Sequence, residues 1–171
     1  MLTYILAGIV SAVIIAADQL AKHAVVAAFA LGESKPFIPK ILNLYFIENN
    51  GGAWGILGGY TWVLLAFTAV VMIICVTLLV CKNAKNPYMF WAGCLVVSGG
   101  IGNMIDRITR SGKVVDFLQF DFWQNFPVFN IADCAIVLGA GILIVYFAVD
   151  AVLDIRARKE ANANNSTNLQ Q

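Results

Sequence analysis

The sequence predicts an all-α polytopic membrane protein with four transmembrane helices. Of the 171 residues, 60% are hydrophobic and only 12% are charged, and four long apolar segments follow one another along the chain. Soluble domains are about 45–50% apolar and about 25% charged. A soluble domain of this size cannot hide so much apolar surface in one core, so lipid must be the solvent for much of it.

Each of the four apolar segments is long enough to cross a bilayer as a helix, which takes roughly 20 residues. They are Leu2–Leu31 (with charged positions at Asp18 and Lys22), Tyr60–Cys81, Tyr88–Ile105 and Ile131–Val149. The alternative for the first segment is a cleaved signal peptide. No basic residue precedes its apolar run, and Asp18 interrupts the end of that run, so we expect a retained first helix.

Two long connections and one short turn join these helices. The first connection, Gly32–Gly59, contains Ile41–Ile47, which is rich in β-forming residues and predicts a short strand. Lys82–Pro87 predicts a tight turn. The second long connection, Asp106–Asn130, includes the aromatic-rich stretch Phe120–Phe129.

The first 154 residues are expected to form a single membrane domain, and the polar tail 155–171 is expected to be disordered. Lys and Arg counts on the two sides of the membrane are nearly equal and do not decide the orientation. The short turn, however, has Lys82 and Lys85 with no acid, which favours both termini in the cytoplasm. The extracytoplasmic face then collects Asp18, Lys22, Asn49, Asn103, Asp106, Arg107, Asp116, Asn130 and Asp133.

Composition and motif content exclude several classes of function. A net charge of +1 provides no basic field for nucleic acid. His23 is the only histidine and the four cysteines form no C-x-x-C pair, so we predict no metal site and interpret the cysteines as small buried hydrophobes. Serine-hydrolase, zinc-protease and phosphate-loop motifs are absent from the sequence, and no cofactor is predicted.

Two polar patterns have both a structural and a functional interpretation. Asp18 and Lys22 are one helical turn apart. They form either a local ion pair with Lys22 reaching the lipid headgroups, or a brace for a site or a headgroup contact. Asn49 and Gly51 belong to a turn signal after the predicted strand, which indicates either an ordinary tight turn or a place where a substrate backbone approaches closely.

Three polar residues end the third helix. Asn103 and Asp106 share a helix face near membrane depth, where polar groups are costly unless they are partnered. We expect Arg107 to pair with one of the nearby aspartates and to hold the loop in place.

Asp116 and Asp133 are the candidate catalytic pair. Asp116 lies between Val115 and Phe117, an unusual place for an acid in an ordinary connection. Asp133 could instead have a purely structural role in capping the helix. Asn130 suits an N-cap, and Asp133 would then be the third residue of helix four, where the helix dipole favours an acid.

Two carboxylates close together in a partly dry site cannot easily both ionise, so they share a proton. The ionised member can take a proton from an attacking water while the protonated member polarises the scissile carbonyl of a peptide. Because the start of helix four favours the charged form of Asp133, we expect Asp116 to hold the proton at rest.

Other classes of function stay open at this point. A proton- or ion-coupled transporter also places acids in a membrane protein, but it would want acids deep in several helices rather than at one face. A lipid-modifying transferase would need a metal-binding acid repeat or a phosphate cradle, which the sequence lacks. A purely structural membrane subunit leaves Asp116 unexplained.

Taken in chain order, the motifs resemble those of bacterial lipoprotein signal peptidase, also called signal peptidase II. The resemblance covers about Ala16–Gly141 and rests on Asp18-Gln-x-x-Lys22, Asn49-x-Gly51-x-Ala53, Gly102-Asn103-x-x-Asp106-Arg107, Val114-Val115-Asp116-Phe117 and Phe129-Asn130-Ile131-Ala132-Asp133. Departures of this sequence from the family's motifs are small. Cys134 stands where Ser or Thr is common in the family, and we interpret it as buried filler rather than a thiol that inhibitors reach.

The resemblance implies a membrane aspartyl endopeptidase of the bacterial cytoplasmic (inner) membrane. Its substrates would be diacylglyceryl-modified prolipoproteins, cut just before the lipidated cysteine, and globomycin-type cyclic peptides would inhibit it. We expect a monomer in contact with membrane lipid. Asp116 and Asp133 become the catalytic pair, and the substrate-binding or supporting residues are Asp18, Lys22, Asn49, Gly51, Asn103, Asp106, Arg107 and Asn130.

The resemblance also implies two structures outside the bilayer. One is a small extracytoplasmic β-cradle, which Ile41–Ile47 fits. The other is a periplasmic amphipathic segment over the active site, for which Pro36–Ile47 and Phe120–Phe129 are the candidates.

Overall fold

The protein, seen in a computed structural model that describes residues 1–81 and 86–168, consists of four helices and one small sheet. The elements in chain order are α1 (Leu2–Ala28), β1 (Ser34–Ile38), β2 (Leu42–Asn49), α2 (Thr61–Cys81), α3 (Pro87–Thr109), β3 (Val114–Phe120) and α4 (Ile131–Asn168). The four predicted helical segments are therefore confirmed. The tight turn predicted at Lys82–Pro87 lies largely outside the described residues.

Among the residues that the structure describes, three helices are long and apolar enough to cross a membrane: Leu2–Ala28, Pro87–Thr109 and Ile131–Lys159. In α2 the apolar stretch within the described residues is shorter, Thr61–Thr77. The chain is thus a mostly helical protein with the apolar helices of a multi-pass membrane protein.

Helix α3 is the central helix. Of its apolar window, 56% is buried inside the protein, against 11% for α1 and 6% for α4, so α1 and α4 present most of their surface to lipid. Asn86 caps the first turn of α3 by accepting hydrogen bonds from the backbone N–H groups of Tyr88 and Met89. Close packing of α3 on α4 depends on Gly99, where a Cβ would overlap the carbonyl oxygen of Ala132.

The sheet is antiparallel and has the strand order β1-β2-β3. The strand predicted at Ile41–Ile47 is confirmed as part of β2, whereas β1 and β3 were not predicted. The sheet matches the small cradle that the resemblance implies. Ile47 of β2 pairs with Asp116 of β3, which places that carboxyl in the middle of an edge strand.

The two candidate amphipathic segments have different structures. Pro36–Ile47 forms most of the β1–β2 hairpin. Phe120–Phe129 completes β3 and returns through a loop, in which Phe129 bridges to Leu118 of β3. Neither segment forms a helix.

Helix α4 continues well beyond the predicted end of its span at Val149 and reaches Asn168. The described helix therefore includes tail residues 155–168, and residues 169–171 lie outside the described part of the chain. Residues 156–161 (Arg, Ala, Arg, Lys, Glu and Ala) favour helix, so the α4 backbone has a reason to continue after the apolar span ends.

Candidate active site

Asp116 of β3 and Asp133 of α4 line the same cavity, which has a volume of about 590 Å³. It lies at the end of the helix bundle where the sheet meets the start of α4. Asn49, Asn103 and Arg107 contribute to its polar wall. Much of the remaining lining is apolar: Trp54, Phe120, Phe126, Phe129, Val137 and Leu138.

The carboxyl of Asp116 is held by two side-chain amides and is only 2% exposed. Its Oδ1 accepts from Asn130 Nδ2 at 2.6 Å, and its Oδ2 accepts from Asn49 Nδ2 at 2.9 Å. Burial, followed by the negative charge of Asp133, raises the pKa of Asp116 to about 7, although the two amides and Lys22 oppose the shift. Asp116 can therefore hold a proton near neutral pH.

Asp133 caps its own helix and also faces the cavity. Its Oδ2 accepts from the backbone N–H of Asn130 at 3.1 Å, and its own N–H donates to Asn130 Oδ1 at 2.9 Å. This reciprocal pair is a capping box, so the predicted cap is confirmed. Its Oδ1 remains directed into the site, where it accepts from Asn103 Nδ2 at 2.7 Å.

Two asparagines connect the carboxyls to one another. Asn130 donates from Nδ2 to Asp116 and also to Asn103 Oδ1, at 3.1 Å. Asn103 Oδ1 accepts a further bond from Lys22 Nζ at 3.1 Å. Because this oxygen has two donors facing it, the amide nitrogen of Asn103 must point to Asp133.

Lys22 belongs to a buried ion cluster, which we define as Asp18, Lys22 and Asp106. Its Nζ lies 2.8 Å from Asp18 Oδ2 and 3.1 Å from Asp106 Oδ2, and the side chains of all three are 0% exposed. The interpretations of Lys22 as a group reaching the headgroups, or of the pair as a headgroup contact, are therefore wrong. A buried charge needs partners that satisfy it, and here each has them.

Gln19 is a site residue that the sequence prediction missed. Its Nε2 lies 3.2 Å from Asp18 Oδ2, 3.1 Å from the carbonyl oxygen of Gly102 and 3.2 Å from Asp106 Oδ1. It thus ties α1 to the end of α3. The available signal was its place beside Asp18 within a polar interruption of an apolar helix.

Arg107 holds the loop after β2, but not in the predicted way. Its Nη2 donates to the carbonyl oxygen of Gly51 at 3.1 Å, and it forms no ion pair with an aspartate among the described residues. Asn49 Oδ1 accepts from the Gly51 N–H at 2.9 Å. A Cβ at Gly51 would lie 2.8 Å from the backbone of Gly55, so this tight loop requires glycine.

Trp54 and Cys134 stand on the apolar side of the cavity. Trp54 is 67% exposed, and its ring contacts that of Phe126 with centroids 6.0 Å apart, which joins the two long connections. Cys134 is an exposed free thiol that lines the cavity, so the interpretation of this cysteine as buried filler is wrong. It follows Asp133 on the first turn of α4, where successive side chains point in different directions.

All ten predicted site residues lie in one connected set of hydrogen bonds and ion pairs. The links run from Asn49, Gly51 and Arg107 through Asp116 and Asn130 to Asn103 and Asp133, and from Asn103 to Lys22, Asp18 and Asp106. Helices α1, α3 and α4 and the sheet thus converge on two carboxyls in an otherwise largely apolar cavity.

Comparison with known proteins agrees with this arrangement. A family model described as Signal peptidase (SPase) II matches residues 10–149. The chain is 40% identical over 161 residues to the lipoprotein signal peptidase of Enterococcus faecalis, covering 94% of each chain. It is 43% identical over 157 residues to that of Halalkalibacterium halodurans, covering 91% of this chain and 97% of the relative.

A solved structure described as a bacterial membrane enzyme, determined by the in meso method at 2.3 Å resolution, superimposes with a TM-score of 0.79 at 33% identity. The match covers 85% of this chain and 88% of the other. A second such structure, at 1.9 Å resolution, gives a TM-score of 0.75 at 33% identity over 82% and 91% of the two chains.

Fold, site and relatives define the class: a peptidase of the aspartic type with membrane-spanning helices. The chain belongs to the signal peptidase II family, the lipoprotein signal peptidases.

Proposed function

We propose that this protein is an endopeptidase that removes the signal peptide of diacylglyceryl-modified prolipoproteins by cutting just before the lipidated cysteine, with Asp116 and Asp133 activating water. The observation that supports it most is the pair of carboxyls in one cavity. They come from two different elements, and both oxygens of each accept hydrogen bonds from nitrogen donors. Membership of the family supports the substrate.

Each aspartate has a separate task in the proposed mechanism. Asp133 is ionised, since the N-terminus of α4 and the N–H of Asn130 favour its negative charge. Asp116 holds the proton near neutral pH because of its raised pKa. Asp133 takes a proton from a water as the water oxygen attacks the scissile carbonyl carbon, and Asp116 donates a hydrogen bond to the carbonyl oxygen.

Collapse of the tetrahedral intermediate completes the reaction. The proton taken up by Asp133 passes to the leaving amine of the cysteine as the C–N bond breaks. The carbonyl is restored, and Asp116 keeps its proton. Products are a signal peptide with a free carboxylate and a lipoprotein with a free N-terminal ammonium group, which together contain both protons of the one water consumed.

The supporting residues act on substrate or on the pair. Asn103 and Asn130 orient the two carboxyls, and Arg107 with Asn49 and Gly51 fixes the loop against which an extended substrate backbone would lie. The apolar wall, which suits acyl chains and the apolar end of a signal peptide, includes Trp54, Phe126, Val137 and Leu138.

The same arrangement supports a proposed placement in the membrane. In our proposal α2 is the fourth span, both termini are cytoplasmic, and the cavity lies near the extracytoplasmic face of the bacterial inner membrane. The scissile bond of a lipid-anchored precursor lies close to that boundary. We further propose that residues 1–154 form the catalytic domain, that the enzyme acts as a monomer, and that globomycin-type peptides occupy the cavity.

Cleavage of a defined precursor tests the proposed function. Purified protein in detergent should release the signal peptide from a diacylglyceryl-modified prolipoprotein, and mass spectrometry should locate the new N-terminus at the lipidated cysteine. The matched control is the same precursor without the lipid, which we expect to be cut at least about tenfold more slowly, because acyl chains that fill an apolar pocket contribute binding energy. Absence of cleavage of the lipidated precursor, or a cut elsewhere in it, would contradict the proposal.

A further inference from the structure

The buried ion cluster contacts the backbone immediately before each of the two site aspartates. Asp18 Oδ1 accepts from the N–H of Ala132, the residue before Asp133, at 2.9 Å. Asp106 Oδ2 accepts from the N–H of Val115, the residue before Asp116, at 3.0 Å. Each acid of the cluster therefore holds the chain segment that carries one member of the pair.

Lys22 joins the two acids. Its Nζ lies 2.8 Å from Asp18 Oδ2 and 3.1 Å from Asp106 Oδ2. A continuous series of polar contacts thus runs from Ala132 through Asp18, Lys22 and Asp106 to Val115. None of the three side chains reaches solvent, so water cannot replace any of these contacts.

Strand β3 needs such a support because it is an edge strand. On the side away from β2, the N–H of Val115 donates to Asp106, and its carbonyl oxygen accepts from Asn130 Nδ2 at 3.4 Å. No further named strand pairs with this edge within the described residues; its backbone contact there is with Phe129, which exchanges hydrogen bonds of 2.8 and 2.9 Å with Leu118. The bridge to Phe129 fixes the C-terminal half of β3, whereas Val115, the residue before Asp116, is fixed on this side by the side chains of Asp106 and Asn130.

We propose that the cluster is a spacer that sets the separation of Asp116 and Asp133, with Lys22, Asp18 and Asp106 as positioning residues. The inference rests on the proposed function. Two carboxyls share a proton only within a narrow range of separations. A misplacement of about 1 Å can cost about 100-fold in rate. Three buried charges are a costly way to join helices that apolar side chains could join as well. Unlike apolar contacts, however, ion pairs and hydrogen bonds have fixed directions and lengths, so they can set the distance between two segments.

Substitutions in the cluster test the proposal through kcat and KM of the monodisperse, folded fraction, measured with the diacylglyceryl-modified prolipoprotein. Lys22→Arg keeps the charge, but its larger planar group cannot occupy the place of an ammonium between three acceptors. We expect kcat to fall about 10- to 100-fold with KM within about twofold, because the cluster does not line the cavity.

Asp106 allows a conservative rescue. In Asp106→Asn the amide oxygen can replace Oδ2 and still accept from the N–H of Val115, whereas Asp106→Leu removes that contact. We expect Asp106→Asn to retain kcat within about tenfold of the wild type and Asp106→Leu to lose about 100-fold. Glu33→Gln is the matched control, since it breaks an exposed ion pair with Lys35 (2.8 Å) that among the described residues shares no hydrogen bond or ion pair with the cluster, and kcat should not change.

The outcomes separate the spacer from the proposed function. A wild-type protein that does not cleave the precursor overturns both. If the wild type cleaves and folded Lys22→Arg has a wild-type kcat, the spacer is overturned and the proposed function stands. The spacer is also overturned if Asp106→Asn and Asp106→Leu lose kcat equally. If Asp106→Leu yields no folded protein, the kcat of folded Lys22→Arg decides between the two roles of the cluster. A cluster that only stabilises the fold would lower the yield of this variant and leave its kcat unchanged.

Discussion

Replacing either Asp116 or Asp133 by asparagine is expected to lower kcat/KM by about 1,000-fold or more. General acid–base groups contribute about 100- to 10,000-fold each, and the two carboxyls act as a unit, so losing one removes most of the contribution of both. Asparagine has the same shape and cannot donate or accept the catalytic proton. The measurement is cleavage of the lipidated precursor by purified variants.

Thermal unfolding of the same samples provides the stability control. Each substitution relieves the repulsion between two buried carboxyls but places an amide NH2 against a nitrogen donor, so activities are compared per folded protein. Asp121→Asn is the matched activity control, because Asp121 lies in the same connection as Asp116, pairs with Asn43 at 3.1 Å and is not among the residues that line the cavity. Variants of Asp116 and Asp133 that both cleave within a few-fold of the wild type would show that the catalytic groups lie elsewhere.

Gly99→Ala adds a single methyl group and is expected to lower the free energy of unfolding strongly. A Cβ at this position would overlap the carbonyl oxygen of Ala132 and lie 2.7 Å from Ile136 Cγ1. Backbone cannot move aside as a flexible side chain can, so α3 and α4 must separate. Overpacking of this kind costs about 1–3 kcal/mol or more. Because Ala132 precedes Asp133, the folded fraction should also lose activity.

Gly141→Ala on α4 is the matched control for Gly99→Ala. No heavy atom lies within 4 Å of the position that a Cβ would take at Gly141, so the added methyl group meets open space. Alanine also favours helix over glycine by about 0.5–1 kcal/mol. Thermal unfolding in detergent should therefore show Gly141→Ala at or above the wild type and Gly99→Ala well below it. Equal unfolding temperatures for the two variants would contradict the close helix contact.

The sequence predicted the elements whose signals are local. Four apolar runs identified the helices, because length and hydropathy alone distinguish a membrane helix from other structure. The capping box of Asn130 and Asp133 was readable for the same reason, since its two members are three residues apart. Asp116 stood out as an acid between apolar neighbours.

The sequence could not reveal partners that lie far apart along the chain. Asp18 accepts from the N–H of Ala132, 114 positions away, and no local pattern predicts that contact. The same limit explains why the sequence allowed Lys22 to be interpreted as reaching the headgroups, although it is fully buried. It also explains why Arg107 was expected to pair with an aspartate when it binds the carbonyl oxygen of Gly51, 56 positions away.

Strands β1 and β3 escaped prediction for different reasons. β1 is five exposed residues that include a proline, which is tolerated at an edge strand. β3 is half buried and contains an acid at its centre, and its partner strand lies more than sixty residues earlier. Its Val and Phe residues favour a strand, but Asp116 interrupts the apolar run and the strand it pairs with cannot be identified from nearby sequence.

The pH dependence of kcat/KM of the wild-type enzyme tests the shared-proton pair most directly. The active form needs Asp116 protonated and Asp133 ionised. Because the pKa of Asp116 is raised to about 7, its proton is present below that pH and is lost as the pH rises through it. We expect a bell-shaped profile in which kcat/KM falls about tenfold per pH unit above an alkaline limb near 7, with an acidic limb where the second carboxyl is protonated. A kcat/KM that stays constant or rises between about pH 7 and pH 9 would contradict the shared-proton pair.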